Sequence, residues 1–311
     1  MEYISNTTKF KIDKNSAISL GKFDGIHRGH DKLIAYLRKK KEQGYATVIF
    51  TFDIATKNTM DGTIHESVLT TNLEKQHLFE SLGIDYLIEC PFIPEITSME
   101  PEDFVRMLVA DLNVKFIVAG KDFRFGHNRR GDYKMLRKLA KIYHYEVKIF
   151  DKVADLGREI SSTYIREEIA AGNLTHSNQL LGYPYFIEGT VIYGKQIGRT
   201  LDIPTLNMIP GEGKLLLPFG VYVTRTIYNG TCYEGITNIG QKPTIEGIHP
   251  IGIETHLFDF NEMIYGAFIK VEFLHKIREE VKFSSLEELK KQMAVDIAEA
   301  KKYYTNVTKI C

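Results

Sequence analysis

Residues 17–30 read AISLGKFDGIHRGH, and this stretch decides the fold expected for the first half of the chain. An apolar run ends at Leu20, glycines follow at every fourth position from Gly21, and a helical pattern begins at Leu33. That order predicts a strand, a glycine turn and a helix. Glycines let the backbone bend sharply and approach a ligand, and the start of a helix offers unpaired N–H groups to an anion. The stretch therefore predicts a phosphate site.

Two histidines lie in the same stretch. His27 and His30 are three residues apart, so on a helix both imidazoles would project from one face toward the anion. An isolated pair at this spacing is more often a surface pair, but the three glycines and the preceding strand favour a functional site.

The composition describes an ordinary two-domain protein. The 311 residues suggest roughly two domains of ~150 residues each. Lys+Arg and Asp+Glu number 40 each, so no net charge recruits nucleic acid or a membrane surface. No run approaches the ~18 apolar residues that span a bilayer, and residues 1–14 lack the apolar core of a leader. We expect a cytoplasmic protein without nucleic-acid or membrane partners, in which Cys90, Cys232 and Cys311 are reduced thiols; the oligomeric state stays open.

The first half alternates strand and helix patterns. They cover residues 46–52, 73–82, 86–89, 104–112, 116–119, 135–142 and 146–149, and helical stretches at 162–172 and 174–181 close this half. Such alternation predicts an α/β domain, a parallel sheet covered by helices on both faces. Ligands of these sheets bind at the carboxyl ends of the strands near the topological switch point, where the turn at 21–30 would lie.

After residues 182–184 the pattern becomes that of a β domain. Short β-branched or aromatic runs at 185–192, 221–228, 232–239, 253–258 and 267–273 are separated by Gly, Pro and Asn, which predicts an antiparallel barrel. A capping box at Ser285–Glu288 then begins a long helix, whose apolar stripe is Leu289, Met293, Ile297 and Ala300. The domain boundary is expected near residue 183.

Three further groups of residues suggest chemistry. Ser161, Ser162 and Thr163 stand at a predicted helix start with Arg166 a turn later; they could simply cap the helix, or bind a triphosphate opposite the histidine turn. Nucleotidyl transfer needs positioning and charge neutralisation, which His27 and His30 together with Arg166 would supply without a covalent nucleophile.

The second group follows the predicted strand at 116–119. Phe123 and Phe125 alternate with cationic residues in Gly120–Gly126, so they could stack a planar ring, although a solvated basic loop is an equal alternative.

The third group lies in the barrel. A glycine-spaced loop can hold phosphates, Thr and Asn oxygens suit Mg²⁺, and a glutamate can act as a general base. Loose glycines also mark turns and bulges, which is the plainer interpretation. The residues are Gly189, Gly194, Gly198, Arg199, Thr205, Asn207 and Glu254.

Taken together, these residues resemble the bacterial bifunctional riboflavin kinase/FMN adenylyltransferase family, also called FAD synthetase. Seven motifs occur in the family's order: GxFDGxHxGH at 21–30, GxDFxFG at 120–126, ISSTxIR at 160–166, LGxPY at 181–185, GRxL at 198–201, NIGxxPT at 238–244 and ExHLFDF at 254–260. The resemblance implies a Rossmann-like nucleotidyltransferase domain over residues 1–182. It further implies a Greek-key antiparallel β-barrel riboflavin kinase domain with a C-terminal helix over residues 183–306.

The resemblance also implies two reactions that use ATP and Mg²⁺, namely phosphorylation of riboflavin to FMN and adenylylation of FMN to FAD. His27, His30, Arg166 and Glu254 would be catalytic, Thr205 and Asn207 would bind the metal, and Asp122, Phe123, Phe125 and Arg278 would contact flavin. The nucleotide would be bound by Gly21, Phe23, Asp24, Gly25, Gly29, Ser161, Ser162, Thr163, Gly189, Gly194, Gly198 and Arg199.

Two positions depart from the family pattern. Asp202 stands where a small residue usually borders the nucleotide loop, and a carboxylate there would repel phosphates unless it helps to hold the metal. Residues 52–55, Phe-Asp-Ile-Ala, lack the two prolines usual at this point. An enzyme with one working module, or a protein that binds flavin or nucleotide without turnover, is therefore the alternative.

Overall fold

The computed structural model describes residues 1–53, 67–194, 198, 201, 203–241 and 251–306. The chain divides into two compact units, Met1–Ser162 and Thr163–Cys311, and each is described by itself. The predicted boundary at 182/183 lies further along the chain, because the two helices that follow Ser161 group with the second unit. The boundary at 182/183 stays a prediction of where one functional module ends and the next begins.

The first unit alternates strands and helices as the sequence predicts. Its strands are β1 (Glu2–Ser5), β2 (Ser16–Leu20), β3 (Ala46–Phe52), β4 (Tyr86–Cys90), β5 (Val114–Gly120), β6 (Glu146–Phe150), β7 (Ala154–Asp155) and β8 (Arg158–Glu159). Its helices are α1 (Asp31–Glu42), α2 (Asn72–Ser81), α3 (Pro94–Thr97), α4 (Pro101–Leu112) and α5 (Tyr133–Tyr143), with a 3-10 turn at His127–Arg129. Local signals set the helix starts: a Thr71–Glu74 capping box begins α2, and Pro101 occupies the first turn of α4.

Six strands form a parallel sheet in the order β1-β4-β3-β2-β5-β6. The chain moves from β2 to β3 and β4 on one side, then returns to place β5 and β6 on the other. The order therefore reverses between β2 and β5, which makes the ends of these two strands the topological switch point. Leu20 and Gly120 end the two strands there.

Alternate residues of each central strand enter different apolar clusters. On β2, Ile18 and Leu20 pack with Phe104 and Leu108 of α4, whereas Ala17 belongs to the cluster that contains Leu37 of α1. Because successive side chains of a strand point to opposite faces, the two clusters lie on the two faces of the sheet. The predicted covering of both faces by helices is confirmed.

The second unit is a closed barrel with helices. Helices α6 (Ser162–Ala170) and α7 (Leu174–Leu181) precede strands β9 (Phe186–Ile192), β10 (Leu206–Met208), β11 (Gly220–Tyr228), β12 (Thr231–Gln241), β13 (Ile251–Leu257) and β14 (Phe268–Glu279), and α8 (Leu286–Asn306) follows. The antiparallel order is β10-β13-β12-β11-β14-β9, closed by pairing of β9 with β10. Strand β14 returns beside β11, the first of three consecutive strands, which is a Greek key.

The barrel strands have two different faces. Hydroxyls of Thr224, Thr237 and Thr255 on one face form a buried chain with oxygen–oxygen distances of 2.7 and 2.9 Å. The other face carries Val223 and Ile236, which cluster with Ala300 of α8. The predicted helical stripe is thus core packing at Ala300.

Two local details differ from the sequence-based expectation. The three-residue strand β10 had no periodic signal, since it is too short to show one. Ser285 does cap α8 by accepting the Glu288 N–H at 3.2 Å, but the Glu288 carboxylate accepts from Ser284 instead of Ser285. Within the described residues, no helix is both long and apolar enough to cross a membrane.

Candidate active sites

The turn after β2 brings His27 and His30 together. Helix α1 begins at Asp31 with His30 as its N-cap, so His27 precedes the helix instead of lying on its first turn as the spacing suggested. The two imidazoles are nevertheless stacked, with ring centroids 3.9 Å apart and an interplanar angle of 22°. Both lie at the switch point, beyond the end of β2.

Backbone hydrogen bonds select the tautomer of both rings. The Gly29 N–H donates to His27 Nδ1 at 3.1 Å, and the His27 N–H donates to His30 Nδ1 at 3.3 Å. Since Nδ1 accepts in each case, the ring proton of the neutral imidazole is on Nε2.

Burial keeps both rings neutral. Loss of hydration lowers the pKa of His27 to about 4, and the same cause, together with the neighbouring His27, lowers the pKa of His30 well below its ordinary value. Neutral rings offer an anion a hydrogen bond from Nε2, not a positive charge. The charge neutralisation expected of the histidine pair from the sequence is therefore absent at neutral pH.

Gly25 and Gly29 allow the turn to adopt this shape. Gly25 has a φ of +63°, and a Cβ added there would lie 2.6 Å from Leu69 Cδ1. A Cβ on Gly29 would lie 2.7 Å from His27 Cε1. The glycine at 29 thus makes room for the imidazole itself.

Asp24 holds the turn from within. Its carboxylate is buried and accepts the N–H groups of Leu69 at 2.8 Å and Thr70 at 3.1 Å, while the Thr70 hydroxyl accepts the Gly25 N–H at 3.0 Å. The Ser162 hydroxyl donates to the Asp24 carbonyl oxygen at 2.7 Å. Asp24 and Ser162, both predicted to bind nucleotide, are thus also part of the scaffold of the turn.

The start of α1 is less open to an anion than the sequence suggested. The His30 N–H donates to the His27 carbonyl at 2.7 Å, and the Asp31 N–H donates to the Arg28 carbonyl at 3.3 Å. These two donors are consequently committed to the turn.

The segment after β5 lies at the same switch point. The Asp122 carboxylate pairs with Lys152 Nζ at 3.2 Å. It is also close enough to His27 to raise the pKa of that imidazole, although this effect is smaller than the lowering caused by burial. Phe123 stacks on Phe125 with centroids 5.6 Å apart, but Phe125 is only 4% exposed and belongs to the core. Phe123, which is half-buried, is therefore the ring of this pair that a planar ligand can reach.

In the second unit, three predicted glycines pack against one short segment. Added Cβ atoms would lie 2.6 Å from the Ile209 carbonyl oxygen at Gly189, 2.2 Å from Asn207 Nδ2 at Gly194, and 2.2 Å from the Ile203 carbonyl oxygen at Gly198. The Cβ added at Gly198 would also lie 3.3 Å from Thr205 Oγ1. The glycines thus let the chain close around residues 203–209.

Asn207 and Glu254 face each other across two strands. Their Cα atoms are direct partners in the pairing of β10 with β13, and Asn238 is the direct partner of Glu254 on β12. Directly opposite residues share one face of a sheet. In the sequence, Asn238 stands out only as part of the NIGxxPT motif, because its position beside Glu254 depends on the register.

The same row continues to Arg278. Val221 pairs with Asn238 on one side and with Arg278 on the other. The Arg278 guanidinium binds the buried carboxylate of Asp296 on α8 through Nε at 2.9 Å and Nη2 at 2.8 Å. This predicted flavin residue is thus held by α8.

The remaining predicted residues are in several places. Ser161 precedes α6, whereas Thr163 and Arg166 lie on it, within the second unit. Arg199, Asp202 and residues 54–55 lie outside the described residues. Gly21 follows β2 and donates its N–H to the Phe50 carbonyl at 3.2 Å; Phe23, with a φ of +49°, packs on Phe79 and His30.

Beside Thr205 lies a cleft of about 370 Å³, lined by Pro204, Leu206 and residues 257 and 260–265. Among the described residues, no cluster of three His, Cys, Asp or Glu side chains is placed to hold a metal ion.

Comparison with known proteins gives a consistent family. A family model described as FAD synthetase matches residues 9–164, and one described as riboflavin kinase matches residues 181–304. The bifunctional riboflavin kinase/FMN adenylyltransferase of Bacillus subtilis (strain 168) is 36% identical over 298 residues, which cover 94% of both chains. The protein of the same name from Haemophilus influenzae is 33% identical over 300 residues, 95% of this chain and 96% of that one.

A solved structure described as a macrolide-efflux protein from Streptococcus pneumoniae also matches, with a TM-score of 0.84 and 29% identity over 98% of this chain and 99% of that one. The FAD synthetase model matches the part of the chain that contains the parallel sheet, and the riboflavin kinase model matches the part that contains the barrel. The curated relatives match over nearly the whole chain. The chain belongs to the bifunctional riboflavin kinase/FMN adenylyltransferase family.

Proposed function

We propose that this chain phosphorylates riboflavin to FMN and then adenylylates FMN to FAD, using ATP in both reactions. Family models and curated relatives for both activities support this proposal, and none of the comparisons supports a protein without turnover. We assign adenylyl transfer to residues 1–182 and phosphorylation to residues 183–306. Helix α6 is counted with the former because it carries Thr163 and Arg166 of the proposed nucleotide segment.

The stacked pair of neutral imidazoles carries the adenylyltransferase assignment. His27 and His30 each have Nδ1 occupied by a backbone N–H, so each donates from Nε2 to a phosphate oxygen of ATP. A phosphate oxygen of FMN attacks the α-phosphorus, and the bond from that phosphorus to the pyrophosphate oxygen breaks. Fixed donors stabilise the charge that develops on the phosphoryl oxygens without reorganising. Arg166 supplies positive charge, and Ser161 and Thr163 supply hydroxyl donors.

The flavin of this reaction is assigned to the end of β5. Phe123 offers a half-buried ring backed by Phe125, a suitable surface for a planar isoalloxazine. Asp122 is in electrostatic reach of His27, so this segment lies near the phosphate donors.

The direct pairing of Asn207 with Glu254 carries the kinase assignment. Glu254 takes the proton from the riboflavin 5′-hydroxyl as that oxygen attacks the γ-phosphorus, and ADP leaves with the bridging oxygen. The Thr205 hydroxyl and the Asn207 amide oxygen are hard ligands that fit Mg²⁺, and Gly194 and Gly198 leave the space around them that side chains would fill. When bound there, Mg²⁺ would neutralise phosphate charge. Arg278 is assigned to the flavin.

The described cysteines, Cys90 and Cys232, are free thiols, and both reactions consume ATP. These two facts support the cytoplasm as the location of the enzyme.

The experiment separates the two reactions. The purified chain is incubated with ATP, Mg²⁺ and either riboflavin or FMN, and flavins are resolved by chromatography. We expect FAD from both, loss of FAD but not FMN in the double variant His27→Ala/His30→Ala, and loss of FMN formation in Glu254→Gln. In each variant, the activity of the module that is not altered serves as the control that the chain has folded. FMN alone from riboflavin would reject the adenylyltransferase assignment, FAD only from supplied FMN would reject the kinase assignment, and no product from either would favour flavin or nucleotide binding without turnover.

Asp202→Gly tests the departure in the kinase motif. A rise in FMN formation in this variant would show that the Asp202 carboxylate limits the kinase. An unchanged rate would remove that concern.

A further inference from the structure

Asn238 is a polar residue of the barrel that the proposed mechanism does not use. On β12 it is half-buried, and its Cα is the direct partner of Glu254 on one side and of Val221 on the other. With Asn207 opposite Glu254 on β10, the proposed base lies between two amides on the same barrel face.

The neighbourhood of Asn238 marks a change from packing to chemistry. Two residues earlier on the same face, Ile236 is 5% exposed and belongs to the cluster under α8. Two residues later, Gly240 has no side chain, and a Cβ there would lie 3.2 Å from Asn238 Nδ2 and closer still to the Glu280 carboxylate. The amide therefore stands at the edge of the α8 cluster, and the absence of a side chain at Gly240 leaves space beside it that the Glu280 carboxylate enters.

This position suits a group that orients a carboxylate. Directly opposite residues place their Cβ atoms about 5 Å apart, which is within reach of a hydrogen bond between an amide and a carboxylate. A donor to the ionised form of a carboxylate both aims it and favours its charge, which a general base needs.

We propose that Asn238 is a positioning residue of the kinase reaction, whose side-chain amide donates to the Glu254 carboxylate and holds it toward the riboflavin 5′-hydroxyl. The inference rests on the proposed role of Glu254. Asn207, on the opposite side of Glu254, would hold Mg²⁺ through its amide oxygen, so the two asparagines have different tasks.

Two variants test the inference on the full-length chain. Asn238→Ala removes the donor and should lower kcat for FMN formation about tenfold, with KM for ATP and riboflavin changed less than twofold. Asn238→Asp keeps the shape and removes the donor, so it should lower kcat at least as far as Asn238→Ala, with both KM values again changed less than twofold.

The charged and titratable groups around this row are His256 on β13, Glu280 after β14, and Arg278 with its partner Asp296 on α8. All four remain in both variants, so a change in kcat comes from position 238. A merely structural role would lower kcat together with the melting temperature, whereas lost positioning lowers kcat and leaves the melting temperature unchanged.

The single variant Glu254→Gln separates this inference from its premise. If Glu254→Gln abolishes FMN formation while both Asn238 variants keep wild-type kcat, the inference fails and the role of Glu254 stands. If Glu254→Gln is fully active, both fail. Formation of FAD from FMN and the thermal melt of each variant report folding.

Discussion

Replacing Lys75 by methionine should destabilise the first unit strongly, although Lys75 touches no proposed substrate. Its ammonium lies 2.8 Å from the Glu89 carboxylate, and both side chains are at most 2% exposed. The Tyr3 hydroxyl donates to the other carboxylate oxygen at 2.5 Å, and burial together with Glu89 raises the pKa of Tyr3. A charge pair linking β4 to α2 is thus enclosed in the unit.

The expected magnitude follows from this burial. Removing one partner of a buried pair leaves an uncompensated charge, at a cost of about 3–5 kcal/mol. For a unit of this size each kcal/mol shifts Tm by roughly 2–4 °C, which gives a fall of about 6–20 °C. The double variant Lys75→Met/Glu89→Gln removes the stranded charge, and the amide oxygen of the side chain at position 89 still accepts the Tyr3 hydroxyl. It should recover most of the loss, to within about 1 kcal/mol of the wild type.

Calorimetry is a suitable assay because the chain contains no tryptophan to follow by fluorescence. FAD formation remaining after heat pulses gives an independent measure for the first unit. Lys11→Met is the matched control: Lys11 pairs with Asp13 at 3.3 Å, but both side chains are at least 79% exposed, so its effect should stay below about 0.5 kcal/mol. A loss below about 1 kcal/mol, or a double variant no better than the single one, would refute the reasoning.

Three further predictions concern the sites. Gly29→Ala places a Cβ 2.7 Å from His27 Cε1 and should reduce FAD formation from FMN at least tenfold with FMN formation intact; an equal loss of both activities would point to misfolding instead. Gly194→Ala, whose Cβ would lie 2.2 Å from Asn207 Nδ2, should reduce FMN formation at least tenfold and leave FAD formation from FMN intact. Full kinase activity in this variant would contradict the arrangement around Asn207. Because the pKa of His27 is about 4 and that of His30 is also lowered, ¹H–¹⁵N NMR at pH 6 should show both as neutral Nε2–H tautomers. Signals of a charged imidazolium for either ring, assigned with an Asn substitution at each position, would overturn this tautomer assignment.

Much of the architecture was open to prediction because it depends on local periodicity. The apolar run of β2, whose five residues are all buried, and the helical spacing of Leu33 and Leu37 are properties of short segments. The stacking of helices and strands then follows from the need to bury two apolar faces. Short elements could not be predicted from periodicity, because an element such as β10 has three residues, fewer than two full periods.

The sites divide in the same way. The sequence by itself determined which residue types were present for phosphate, flavin and metal chemistry, because motif spacing and glycine positions are written along the chain. Only the tertiary structure decided that His27 and His30 are neutral, that Asp24 is engaged in holding its turn, and that Asn238 stands beside Glu254. Charge state depends on burial by residues distant in sequence, such as those around the histidine turn. Cross-strand neighbours depend on register, which is set by the whole barrel and not by any one strand.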